Sequence, residues 1–116
     1  MSDFTTTVDE LRKEIQQFVS ARDWHQFHSP KNVSMALAIE AAELMEHFQW
    51  IDAPASRQLD QDQVAAVGEE LADVFCYTLA MANELDIDLA DTMRAKMLKN
   101  IAKYPADQCR GRFEAP

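Results

Sequence analysis

The sequence predicts an all-α fold, and three observations predict it. Glycine and proline together supply 6 of 116 residues, about 5% against a usual ~12%, so the backbone has few places for the tight turns that many short strands need. Apolar residues recur at three- and four-residue steps over separate stretches of the chain. Prolines 30, 54 and 105 fall between those stretches and punctuate them. With 47% apolar and 27% charged residues, the length suits one compact domain. The expected division is a domain over residues 1–105 and a polar, mobile tail over 106–116.

In the first helix, Thr7 or Asp9 can cap the start, and Val8, Leu11, Ile15, Phe18 and Val19 form one apolar stripe that ends near Arg22. Trp24, His25, Phe27 and His28 follow in a loop-like segment. Pro30 then suits the first turn of a second helix, expected to run to about Trp50. Residues 51–61 turn polar and read as a connection. The third helix, about Asp62 to Leu85, carries only Asp73 as a charge between Leu71 and Ala82, so it should be covered on nearly every side. Four short helices supply little such cover, which points to a partner subunit. Asp88 can cap a fourth helix whose Leu89, Met93, Met97 and Ile101 face inward and which stops before Pro105. The expected architecture is a four-helix bundle-like protomer, or a helical dimer built from such units.

Charge and targeting narrow the function. The net charge is −9, which repels a nucleic-acid backbone. It is uneven: residues 1–93 hold 5 basic and 18 acidic side chains, and residues 94–112 hold 6 basic and 1 acidic. No stretch approaches the ~18 apolar residues of a membrane span, and Met1-Ser2-Asp3-Phe4 lacks an export pattern. A cytoplasmic protein that binds neither membranes nor nucleic-acid polymers is expected. Cys76 and Cys109 are too few for a disulfide framework or a cysteine zinc site.

The unusual feature is acid in apolar surroundings. Glu40 and Glu43 lie three residues apart in the second helix, followed by Glu46, and Glu70 and Asp73 repeat the spacing in the third. Residues at that spacing rise from one helix face. Buried without partners, such carboxylates would repel one another or take up protons, and no Lys or Arg lies between Val33 and Ile51. A hard divalent cation, Mg²⁺ with Mn²⁺ as substitute, is the neutraliser that all-oxygen ligands favour. The alternative is a solvated acidic face. A di-iron bundle would need Glu-x-x-His pairs, and His47 stands four residues after Glu43, not three.

On the fourth helix Lys96, Asn100 and Lys103 make one polar stripe with Tyr104 just beyond. It suits either an ordinary helix C-terminus or the oxygens of a triphosphate. Trp24, Phe27, Trp50 and Tyr77 are packing residues or surfaces for stacking a nucleobase.

The pattern Glu-x-x-Glu, a spacer, then Glu-x-x-Asp, carried by Glu40, Glu43, Glu70 and Asp73, resembles the MazG-like all-α nucleoside triphosphate pyrophosphohydrolases. Residues 22–32 (Arg-Asp-Trp-His-Gln-Phe-His-Ser-Pro-Lys-Asn), Phe48-Gln49-Trp50, Glu69 to Val74, and Lys96 through Asn100 to Pro105 look like the short-chain dCTP pyrophosphatase branch. In order, the resemblance covers about residues 8–105. It departs at Ile15, where that branch carries a histidine.

The resemblance implies hydrolysis of a nucleoside triphosphate, dCTP or a modified pyrimidine dNTP, to the monophosphate and pyrophosphate. It implies Mg²⁺ on the four carboxylates, water attack at the α-phosphorus, and a homodimer or a tetramer built from dimers. On that reading Glu46 orients or deprotonates the water, while Lys96, Asn100, Lys103 and Tyr104 hold phosphate oxygens. Trp24, His28, Trp50 and Tyr77 form the base and sugar pocket. Two other readings stand beside it: a non-catalytic helical module with an acidic docking face, and a hydrolase of the same fold acting on another phosphoanhydride.

Overall fold

The computed structural model describes residues 2–113, and every regular element among them is helical. The helices are α1 (Val8–Ala21), α2 (Pro30–Glu46), α3 (Ala53–Ser56), α4 (Gln61–Leu85), α5 (Leu89–Lys103) and α6 (Ala106–Cys109). Their starts follow local chemistry. Thr7 accepts the Glu10 backbone N–H at 3.1 Å while the Glu10 carboxylate accepts that of Thr7 at 3.2 Å, satisfying two otherwise orphaned donors. Asp60 and Gln63 do the same for α4. Ser29 with Pro30 opens α2, and Asp88 caps α5 through the Asp91 N–H.

Two units divide the chain, Met1–Asp86 and Ile87–Pro116. In the first, α4 packs against both α1 and α2. Its fully covered centre is small: Val19 of α1, Val33 of α2, and Leu79, Ala80 and Ala82 of α4. Arg12 fastens α1 to the end of α4, donating from Nε to Asn83 Oδ1 at 3.0 Å and from a terminal nitrogen to the Ala82 carbonyl at 3.1 Å. Asn83 returns a bond to the Arg12 carbonyl at 3.0 Å. The α4 terminus then turns through Asp86 in the left-handed region, φ 52°, a conformation short polar side chains tolerate. In the second unit, α5 is followed by the single-turn α6.

Several sequence expectations are corrected. The second helix ends at Glu46, not near Trp50, because the backbone N–H groups of His47 and Phe48 reach back three residues to Leu44 and Met45 and tighten the chain out of the α path. The polar connection holds one helical turn, α3, and the expected tail holds α6; residues 114–116 of that tail lie outside the described residues. Of the stretch expected to be covered on all sides, only the Leu79–Ala82 part is largely buried, whereas Leu71 and Phe75 are exposed. Met93, Met97 and Ile101 of α5, expected to face inward, are exposed too. No helix among the described residues is long and apolar enough to cross a membrane.

Candidate active site

Glutamates 40 and 43 sit one turn apart on α2, and Glu70 projects from the facing helix α4. Each offers one carboxylate oxygen, and the three oxygens lie within 4.8 Å of one another. All three residues are half-buried. Among the described residues, Glu40 Oε2 and Glu70 Oε2 are buried with no hydrogen-bond partner. An ionised carboxylate can only accept, and no donor among the described residues reaches either atom. Burial pushes the Glu40 carboxyl up to about 6, helped by the Glu43 carboxylate through hydrogen bonding and charge and then by the charges of Asp73 and Glu70. The Glu70 carboxyl is raised as well, by burial first and then by Glu43 and Asp73.

The cluster therefore fits a cation. Oxygen-only donors, high local negative charge and unpaired buried oxygens are the donor set of a hard divalent ion. Asp73, the fourth expected ligand, is not one of the three convergent carboxylates. It lies one turn along α4 from Glu70, close enough for its charge to raise Glu40, Glu70 and Tyr77, and it lines the neighbouring cleft. His47 brings Nε2 to 4.0 Å from Glu70 Oε1. Sequence reasoning placed His47 outside the ligand set; its spacing of four from Glu43 was the signal that it shares this face.

Beside the acids is a cleft of about 540 Å³. Ile15, Phe18 and Val19 of α1 form one wall, Asp73, Cys76, Tyr77 and Ala80 of α4 the other, and Trp24 and His28 of the intervening turn close it. The aromatic rings run in a row. Phe18 meets Trp24 edge-on at 5.6 Å between centroids. Trp24 and His28 are 6.3 Å apart, and His28 and Tyr77 6.4 Å. The Arg22 guanidinium lies 3.7 Å from the centroid of the Phe18 ring. His28 Nδ1 is buried without a partner among the described residues. Burial raises the Tyr77 hydroxyl, with further contributions from Glu40 and Asp73, so it stays a donor. Asp73, one turn along α4 from Glu70, lines the cleft and so puts the acids at its edge.

The structure thus brings together Glu40, Glu43 and Glu70, and separately Trp24, His28, Tyr77 and Asp73. Trp50 is 87% exposed and is not among the residues lining the cleft. Glu46 is exposed on the last turn of α2. Lys96, Asn100 and Lys103 lie on α5 of the second unit, where Lys103 Nζ stands 5.3 Å from the Tyr104 ring centroid and Asn100 donates to Met97 Sδ at 3.8 Å. Glu14, Ile15, Phe18, Val19, Cys76 and Ala80 line the cleft and were missed as site residues. Phe18 was legible from its place on the apolar stripe of α1, and Cys76 from its spacing of three from Asp73.

The sequence matches the profile of the MazG-like family over residues 35–113. The chain belongs to that family. Among MazG-like and related proteins, dCTP pyrophosphatase 1 of Rattus norvegicus is 39% identical over 107 residues, covering 90% of this chain and 63% of its own length. Its Homo sapiens counterpart is 38% identical over 106 residues, covering 90% and 62%. This chain thus spans less than two thirds of the length of these relatives. A solved structure of a pyrophosphatase from Archaeoglobus fulgidus superposes with a TM-score of 0.81 at 32% identity, covering 90% of this chain and 98% of that one.

Proposed function

We propose that this MazG-like chain is a divalent-cation-dependent nucleoside triphosphate pyrophosphohydrolase that cleaves dCTP or a modified pyrimidine dNTP to the monophosphate and pyrophosphate. The observation that carries it is the meeting of three glutamate oxygens within 4.8 Å beside an aromatic cleft. The names of its dCTP pyrophosphatase and pyrophosphatase relatives support the same reaction.

Glu40, Glu43 and Glu70, with Asp73 alongside, hold the cation, Mg²⁺ with Mn²⁺ as substitute. A cation held there supplies positive charge where the α-phosphate oxygens gather negative charge in the transition state. His47 stands beside the Glu70 carboxylate, with Nε2 4.0 Å from Oε1. Glu46, one turn beyond Glu43, takes the proton of the water that attacks the α-phosphorus; the bond from that phosphorus to the bridging oxygen breaks, and pyrophosphate leaves with the electron pair. Trp24, His28 and Tyr77 offer ring faces and polar edges to the base and sugar. The resemblance alone assigns Trp50 to the base, and Lys96, Asn100, Lys103 and Tyr104 to the phosphates.

A second copy of the chain is the proposed cover for the apolar residues that remain exposed: Met35, Ile39 and Met45 on α2, and Val64, Leu71 and Phe75 on α4. Apolar surface on this scale marks an interaction face, and closed homo-oligomers are the commonest solution.

Hydrolysis of dCTP in ¹⁸O-enriched water with Mg²⁺ tests the reaction. The expected products are pyrophosphate and dCMP, with one solvent oxygen in dCMP. Release of orthophosphate, or label in the pyrophosphate, would overturn the reading.

A further inference from the structure

The turn that delivers Trp24 and His28 to the cleft is tied down by a residue that does not itself line it. His25 Nδ1 lies 3.2 Å from Glu84 Oε1 of α4, and His25 Nε2 lies 3.1 Å from Ser20 Oγ of α1. Because the Glu84 carboxylate accepts, Nδ1 carries the proton, and in the neutral ring Nε2 accepts from the Ser20 hydroxyl. One side chain therefore joins the two helices that form the cleft walls, from between the two residues that close it.

Backbone geometry makes this link matter. Asp23 leaves α1 with φ 52°, the left-handed conformation that a short polar side chain tolerates, as at Asp86, and it turns the chain sharply toward the cleft. The Trp24 N–H returns to the Val19 carbonyl at 3.0 Å, and the His28 N–H to the Trp24 carbonyl at 3.1 Å. Those bonds shape the turn locally, and His28 adds a ring contact with Tyr77, while His25 supplies a side-chain hydrogen bond from the turn to α4, 59 positions away in the sequence. From these contacts we propose that His25 is a positioning residue: it holds Trp24 and His28 against the cleft and so sets how tightly a nucleotide's base is bound. This rests on the pyrophosphohydrolase reading for the identity of the ligand.

The same three kinds of side chain occur in hydrolase triads, with the serine on Nε2 and the acid on Nδ1. Here the serine is no nucleophile. Ser20 lies inside the last turn of α1, where neighbouring backbone N–H groups are spent on helical bonds and none remains to receive an oxyanion.

The test compares His25→Ala, His25→Gln and Glu84→Gln with the unaltered chain, using kinetics on dCTP and the ¹H–¹⁵N indole signals of the two tryptophans without ligand. The expected result for His25→Ala is a KM raised about tenfold with kcat within threefold, since two ring-bearing side chains must now be ordered on binding. Its Trp24 indole signal shifts or broadens and that of Trp50 stays in place. His25→Gln, which keeps a donor and an acceptor, restores most of the KM. If His25→Ala fails to fold, Glu84→Gln carries the test, with a smaller rise in KM and the same movement of the Trp24 signal. An unmoved KM in a folded variant, or an unmoved Trp24 signal, overturns the proposal. Were the unaltered chain inactive on every triphosphate, the functional reading would fall, and the indole signals alone would still decide what His25 does.

Discussion

Acidification should act on this protein in opposite directions depending on whether its carboxylate cluster is filled. The Glu40 carboxyl stands at about 6 in the folded chain against 4.5 for a free glutamate, so folding without a cation favours its protonated form. That contribution to stability is fully present below pH 4.5 and is lost as pH rises through 6. Cation binding needs the ionised form. With a value of about 6, Glu40 is about 3% protonated at pH 7.5, half at pH 6 and about 90% at pH 5, so the cation's affinity should fall roughly tenfold per unit once pH is below about 6. Thermal midpoints of the unaltered chain and Glu40→Gln, both cation-free, isolate the group. The variant should be the more stable at pH 7.5, and the gap should close by pH 5. Calorimetric titration with Mn²⁺ at the same pH values should show strong binding above pH 7 and progressive loss below 6. Midpoints that run parallel across the range, together with Mn²⁺ affinity unchanged down to pH 5, would refute the argument.

The other predictions follow from single contacts. Glu43→Gln and Glu70→Gln should each weaken Mn²⁺ binding at least about tenfold while leaving far-UV circular dichroism unchanged. Trp24→Ala should raise the KM for dCTP by about 5- to 150-fold, the range for one lost base-stacking surface, with a smaller effect on kcat in steady-state assays. Leu79→Ala, at a side chain 2% exposed in the small core, should cost about 2–5 kcal/mol, read as a lower midpoint in urea unfolding. If the exposed apolar faces of α2 and α4 join copies of the chain, sedimentation should find an oligomer that Leu71→Asp dissociates.

Local chemistry made the helices legible. Thr7, the Ser29-Pro30 step and Asp88 act on the nearest few backbone groups, and a reader of the sequence sees all the atoms involved. The single turns α3 and α6 escaped because four residues leave little periodic pattern. The spacing of Glu40 and Glu43 was enough to put both on one face of α2. The same spacing could not say that Glu70 would join them while Asp73 turned toward the cleft, because that depends on how α4 is rotated against α2.

Tyr77 and His28 came from motif and spacing. The link from His25 to Glu84 joins residues too far apart in sequence for any local pattern to reveal. Trp50 shows the converse case. Its aromatic ring suggests a base contact, and the structure leaves it 87% exposed past the end of α2, so that contact rests on the family resemblance alone.

The most direct examination of the carboxylate cluster is a crystal of the protein grown with Mn²⁺ and measured at a wavelength where manganese scatters anomalously. The expected result is an anomalous peak between α2 and α4, bonded to oxygens of Glu40, Glu43 and Glu70. Glutamates spread into solvent with no peak among them would contradict the account.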